Sequence, residues 1–453
     1  MLLSNEYPKM FCLLIFISLS SFTVQLQVDT SFGPVVGQRK ATIDRRLKEE
    51  KEVTWTQFVG IPFAAPPVGD LRFRAPQPPQ PWKEPRFVDE ESLTICPQVS
   101  FGSLYPRSDE DCLYLNVYVP VHVSDVLLPV MFWIHGGGFM TGDGTPQSFG
   151  PQYWMSHEVI MVTTNYRLGP LGFLTLGNEE VPGNMGQLDQ LAALNWVQQN
   201  IAEFGGDKGS VTIFGQSAGA FASTSHLYSP LARGLFQRVI AQSGMAGLAP
   251  SFHHHQELNA LKYGLDAAIL LGCLVPDTRA ECLRGKDVLA IQTLDLAEEL
   301  ISQPSIDSLN PAPYLPKNPL DLLQNGNYHT DVDVMLGFNE DDGFLITQFF
   351  KVAPSLFDLV KHFWGTLGPF ALFQQHYLEI SDMEAEIAAE ILNHYSDNGI
   401  ENLGPDDLQN VTDMFTDSFF TWANYLFLKH HLDHSTARTY QYRFSYHVSI
   451  DRR

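Results

Sequence analysis

Residues 211–220, VTIFGQSAGA, constrain this chain more than any other stretch. An apolar, β-branched run suited to a strand breaks into Gly215, Gln216, Ser217, Ala218 and Gly219, then passes straight into helix-compatible sequence. Reversing from strand to helix within so few residues presses backbone against backbone. The glycines flanking the serine remove the Cβ atoms that would collide there, and the serine is left standing out at the carboxyl edge of a sheet. Ser217 is therefore the candidate nucleophile.

A Gly-x-Ser-x-Gly match alone also describes an ordinary turn, so the reading needs a second motif. Residues 134–139, IHGGGF, supply it, following the strand-like LPVMFW. With no side chains in the way, the backbone amides of Gly137 and Gly138, together with that of Ala218, could hold the oxyanion of an acyl transfer. Each such donor is worth on the order of 3 kcal/mol. The pair of motifs reads as the nucleophile elbow and oxyanion loop of an α/β-hydrolase.

The 453 residues suffice for a large buried core. No Gly/Ser-rich or Pro-rich linker, repeat or low-complexity tract divides them, so residues 28–453 read as a single domain. Lys and Arg number 28 against 51 Asp and Glu, a formal charge of -23. That balance disfavours nucleic acid or an anionic membrane as partner. After Lys9 comes the apolar run 11–22, FCLLIFISLSSF, too short to span a bilayer but suited to the centre of a secretory signal. Residues 1–27 are thus expected to be a signal peptide, cleaved somewhere within 22–27, and the mature protein to be secreted and extracellular. No later stretch is long and apolar enough for a membrane span.

Of the five cysteines, Cys12 would leave with the signal. The other four fall into two close pairs, Cys96 with Cys112 and Cys273 with Cys282. Four cysteines allow three pairings, and proximity favours this one, as disulfides of an exported protein. A zinc site is the competing view, yet neither a C-x-x-C nor a clustered histidine spacing supports it, so no metal is expected. Neighbouring His253, His254 and His255 would point in different directions on a helix or strand, and read as a solvated face. Asn410, Val411 and Thr412 form a glycosylation sequon, expected on a surface loop.

Strand-like runs at 113–120, 128–135, 159–166, 211–216 and 238–242, with helical spacing over 185–200, predict a large, mostly parallel sheet with helices on both faces. Ligands should meet the carboxyl ends of its strands. Several stretches in order carry a more specific resemblance: VTWTQFVGIPFAAPPVGDLRF (53–73), EDCLYLNVYVP (110–120), the HGGGF loop, NYRLGPLGFL (165–174), PGNMGQLDQLAALNWVQQNI (182–201), FGGD (204–207) and the elbow. From about Gly33 to its last residue the chain resembles the type-B carboxylesterases, the family that also holds the cholinesterases. The resemblance implies the α/β-hydrolase fold, a small-molecule carboxylic ester as substrate, and no metal or organic cofactor.

It also implies a triad acid. Residues 332–345, VDVMLGFNEDDGFL, read as a strand emptying into an acidic loop. In the family the residue before that glycine is the acid, usually Glu; here it is Asp342, preceded by Glu340 and Asp341. Ser243, ending RVIAQSG (238–244), matches a family hydroxyl that supports the triad, and reads equally well as a plain strand-end turn.

The base should follow the acid, in a glycine-flanked GxxHG motif shortly after the strand matching TYQYRFSYH (439–447). No GxxHG occurs in the sequence. The histidines beyond Asp342 are His362, His376, His394, His430, His431, His434 and His447, none in that context. The cluster at 430–434 reads as the polar end of the helix WANYLFLKHHL, and His447 as the close of the strand. The domain thus reads as truncated at its C-terminus. Loss of the triad histidine lowers turnover about a million-fold in a serine hydrolase.

The expected function is that of a secreted serine esterase acting through an acyl-enzyme on Ser217. The alternative is a catalytically silent, cholinesterase-like binding, adhesion or ester-sequestering protein. Between Cys96 and Cys112 stand Phe101 and Tyr105 but no tryptophan to stack on a quaternary ammonium, which disfavours choline esters.

Overall fold

The computed structural model describes residues 26–44, 51–100, 103–121, 126–246, 257–294, 303–352, 382–396 and 408–446, with 362, 364 and 368 between them. Ten strands form one sheet: β1 (Leu26–Asp29), β2 (Pro34–Asp44), β3 (Lys51–Pro62), β4 (Tyr114–Pro120), β5 (Leu128–Ile134), β6 (Ile160–Thr164), β7 (Gly206–Gln216), β8 (Arg238–Gln242), β9 (Asp333–Asn339) and β10 (Thr439–Phe444). Their order is β1-β2-β3-β4-β6-β5-β7-β8-β9-β10. From β1 to β6 neighbours run antiparallel. From β6 to β10 every pairing is parallel.

The central parallel strands, β5 to β7, bury both faces in their C-terminal parts, as helix-covered parallel strands must, whereas the edge strand β10 is largely exposed. All five residues of β6 are buried. Side chains alternate along β5 and β7: Phe132, Ile134 and Ile213 enter one core, with Leu191, Trp196 and Val197 of α1 (Met185–Asn200). Trp133 and Phe214 enter the other, with Trp55, Tyr118 and Trp154. There the Trp133 and Phe214 rings lie 4.8 Å apart. Each such fully buried side chain stabilises the fold by roughly 2–3 kcal/mol relative to exposure.

Two polar joints hold the upper loops to this frame. The guanidinium of Arg167 grips the buried Asp189 of α1 through Nε at 2.7 Å and Nη2 at 2.6 Å, while the Arg167 amide donates to the same carboxylate. Removing either partner would leave a buried charge uncompensated. Arg72 pairs with Glu110 and donates to the carbonyls of Arg284 at 2.7 Å and Lys286 at 2.6 Å. It thereby ties the loop closed by Cys96–Cys112 to the chain just beyond the loop closed by Cys273–Cys282, both disulfides pairing as expected from proximity.

Following the strand ends come α2 (Ala218–Ser225), α3 (Phe344–Val352), α4 (Leu408–Thr416) and α5 (Trp422–His434), with a π-helical turn, Asp417–Thr421, between the last two. Asn410 lies on helix α4, not a surface loop, and Thr412 of its sequon is buried and bonded to Thr347. His431 is no polar helix end: it is fully buried, bonded to the Tyr328 hydroxyl at 2.8 Å and stacked on Phe427. Strand β10 stops at Phe444, because the register with β9 ends there. His447, read as closing that strand, lies outside the described residues, as do residues 1–25, Phe101, His253, His254, His255 and His376.

Candidate active site

Ser217 sits between β7 and α2 at φ 55° and ψ -127°, a region that suits glycine rather than serine. Such strain typically costs of order 1–3 kcal/mol and persists only where neighbours enforce it. Here they do. The Ser217 amide donates to Gln242 O at 2.9 Å, and Ser217 O accepts from Ala220 and Phe221 as the helix begins. A Cβ on Gly215 would stand 2.6 Å from the Ile134 carbonyl oxygen, and one on Gly219 would strike that same oxygen. The turn is therefore wedged against the end of β5, and only glycine fits on either side of the serine.

Since β5 is the sheet neighbour of β7, the glycine loop that continues from it arrives over the elbow. A Cβ on Gly136 would lie 3.2 Å from Ser217 Cβ. Gly137 and Gly138 take φ 110° and 64° and are exposed. Among the described residues, none of the amides of Gly137, Gly138 and Ala218 is seen donating a hydrogen bond, and Ala218 opens α2, where amides have no helical acceptor. His135 anchors the loop from below. Its buried ring stacks on Tyr166 at 4.3 Å, and its Nδ1–H donates to Gly136 O at 2.8 Å. Tyr166 in turn donates its hydroxyl to His135 O. Burial pushes the His135 pKa down to about 4, so the ring is neutral and a poor proton acceptor near pH 7.

Ser243 follows β8, the next strand. It is buried, with φ 57°, and its amide donates to Gly337 O at 2.8 Å. A Cβ on the adjacent Gly244 would lie 2.8 Å from Ser217 O, so this turn backs the elbow. Asp342 follows β9, one strand further. Ser217, Ser243 and Asp342 thus leave the same edge of the sheet from three consecutive parallel strands. Both carboxylate oxygens of Asp342 accept hydrogen bonds from Asn339.

Among the described residues no histidine is hydrogen-bonded to Ser217 or Asp342. His226, buried at the end of α2, faces Gln190 and the Tyr314 hydroxyl. His329 faces Ser229 O and His434 faces Gln324 O. His394 and His430 lie on helices, exposed and half-buried respectively. No group of three or more His, Cys, Asp or Glu among the described residues is placed to hold a metal ion.

Sequence reasoning missed the Asn339 grip, the Tyr166 bond and the Gln190, His226 and Tyr314 cluster. Only the first has a local signal, a side-chain amide three residues before a carboxylate in a strand-end turn.

A sheet whose parallel strands present a serine on a strained strand-to-helix turn, beneath a triple-glycine loop, defines an α/β-hydrolase. The crystal structure of juvenile hormone esterase from Manduca sexta, with OTFP covalently attached, is similar at a TM-score of 0.79 and 27% identity, covering 94% of this chain and 79% of that one. The family model for the carboxylesterase family matches residues 24–453, and the chain belongs to that family. Among its relatives, a juvenile hormone esterase of Tribolium castaneum is 40% identical over 342 residues, covering 70% of this chain and 55% of the relative. A carboxylic ester hydrolase of Bombus ignitus is 34% identical over 432 residues, covering 92% and 74%. The chain thus spans about half the length of the first and about three quarters of the second.

Proposed function

We propose that this chain is a secreted serine esterase, residues 28–453 forming one catalytic domain behind a signal peptide. In this reading Ser217 Oγ attacks the carbonyl carbon of a carboxylic ester while a base takes its proton. The amides of Gly137, Gly138 and Ala218 receive the developing oxyanion. The proton then leaves with the alcohol as the ester C–O bond breaks, and water hydrolyses the acyl group from Ser217. Asp342 orients the imidazole that serves as base, a group that none of the described histidines brings to Ser217 or Asp342, and Ser243 braces the elbow from behind. The proposed sequence draws on no metal or organic cofactor.

The observation that carries the reading is the strained Ser217 wedged under the triple-glycine loop, an arrangement with no structural use that an ordinary turn would not serve better. The names of the relatives, among them a pyrethroid hydrolase and an acylcarnitine hydrolase, support small esters as a substrate class. Choline esters remain disfavoured, as no tryptophan stands between Cys96 and Cys112.

A second reading, a silent binding or ester-sequestering protein, draws support from the lack of an imidazole on Asp342 among the described residues. Stopped-flow mixing with p-nitrophenyl acetate separates the two. An esterase releases a burst of nitrophenol equal to the protein present, lost in Ser217→Ala; a binding protein gives no burst in either.

A further inference from the structure

One residue holds both oxygens of the Asp342 carboxylate. Asn339 donates its backbone N–H to Oδ2 at 2.8 Å and its side-chain Nδ2–H to Oδ1 at 2.7 Å, and the Asp342 amide returns a bond to Asn339 O at 3.3 Å. Asn339 is in turn fixed by the last strand. It stands opposite Phe444 in the β9–β10 register, and the next amide, that of Glu340, donates to Phe444 O at 2.9 Å. Beyond the carboxylate, the Gly343 amide donates to Thr416 Oγ at 2.9 Å. A Cβ on Gly343 would meet Thr416 N at 2.7 Å and would collide with Thr412 O, so α4 packs directly on this turn.

We infer that Asn339 is the positioning residue of the acid, setting the rotation of the Asp342 carboxylate so that it faces an incoming imidazole. The inference rests on reading Asp342 as the triad acid. An aspartate has one fewer rotatable bond than a glutamate, so its oxygens go where backbone and tethers send them. Two donors from one side fix the carboxylate plane, since each oxygen has two acceptor directions and Asn339 occupies one on each. One direction per oxygen stays open for an imidazole N–H. Because Asn339 is registered to Phe444 of β10, the strand pairing also fixes the turn that carries Asp342. A simple turn-stabilising role would use the same bonds but would not act through Asp342, and that difference is measurable.

The test is a double-mutant cycle on the full chain, read as the rate of covalent labelling of Ser217 by a fluorophosphonate. Asn339→Ala should slow labelling about tenfold, the size of one hydrogen bond to a charged group. Asn339→Asp, isosteric but turning a donor into an acceptor, should slow it further and serves if the alanine variant does not fold. In an Asp342→Ala background neither change should slow labelling again. Wild-type rates in Asn339→Ala and Asn339→Asp, or an equal loss in both backgrounds, would overturn the positioning role. Equal labelling of wild type and Asp342→Ala would instead remove Asp342 as the acid, and no labelling of wild type would remove the esterase reading; in either case the inference goes with it.

Discussion

Around Ser217 the backbone is fixed by side chains that are missing, whereas around Asp342 it is fixed by side-chain hydrogen bonds, one from within the turn and one from α4. At the serine, Gly215, Gly219, Gly136 and Gly244 let four pieces of main chain close to distances that a Cβ would forbid. At Asp342, Asn339 and Thr416 hold the turn by hydrogen bonds that reach across 3 and 73 residues. Steric wedges admit one arrangement and tolerate no added atom. Polar tethers can be weakened one at a time, so the Asp342 end should respond to substitution in graded steps and the Ser217 end abruptly.

The largest effect should come from closing a glycine gap. Gly137 has φ 110°, and a Cβ there would collide with Thr141 O, so Gly137→Ala must move the loop. Loss of one oxyanion donor lowers the acylation rate about 100-fold. The burst rate with p-nitrophenyl acetate reads this directly, and a variant that kept the wild-type rate would show that the wedge is not what positions the amides.

Acid should loosen the serine end next. His135 beside the loop and His226 behind α2 are held neutral by burial, with pKa values lowered to about 4 and about 3; the charge of His329 adds to burial at His226. In the unfolded chain both return to about 6.5. Below that value the unfolded state takes up protons that the folded state refuses. Their stabilising contribution is therefore complete above about pH 6.5 and falls as pH drops toward the folded values. At about pH 5 the loss is about 2 kcal/mol for each. Urea unfolding of His226→Gln should show a drop between about pH 7.5 and pH 5 that is smaller by that amount. A drop as large as wild type would show that His226 is not held neutral.

The smallest effect has the opposite sign. Ser217→Gly abolishes labelling yet relieves a glycine-type conformation, and should raise unfolding stability by about 1 kcal/mol, strain relief less the entropy of the added glycine. A destabilised variant would mean that the elbow stores no strain.

This contrast also explains what was legible in the sequence. Ser217, the glycine loop, the parallel strands and α1 declare themselves through local spacing, because a wedge needs glycine at fixed offsets and a buried strand needs an unbroken apolar run. Both disulfides followed from proximity. The seat of Gly343 on Thr416 and the buried place of His431 depend on partners 73 and 103 residues away, which periodicity does not reveal, while the Asn339 grip spans only 3 residues and depends on how the turn after β9 folds. Reading Asn410 as part of a loop failed for a related reason: α4 is helical because Val411, Thr412, Met414 and Phe415 are buried, and the sequon pattern says nothing about that face.

The central claim is that Ser217 is an activated nucleophile. Treating the folded chain with a fluorophosphonate at mildly alkaline pH, then mapping the adduct by peptide mass spectrometry, tests it most directly. One adduct per chain is expected, on Ser217 and absent from Ser217→Ala. A folded protein that stays unmodified at Ser217, or reacts equally at other serines, would contradict it.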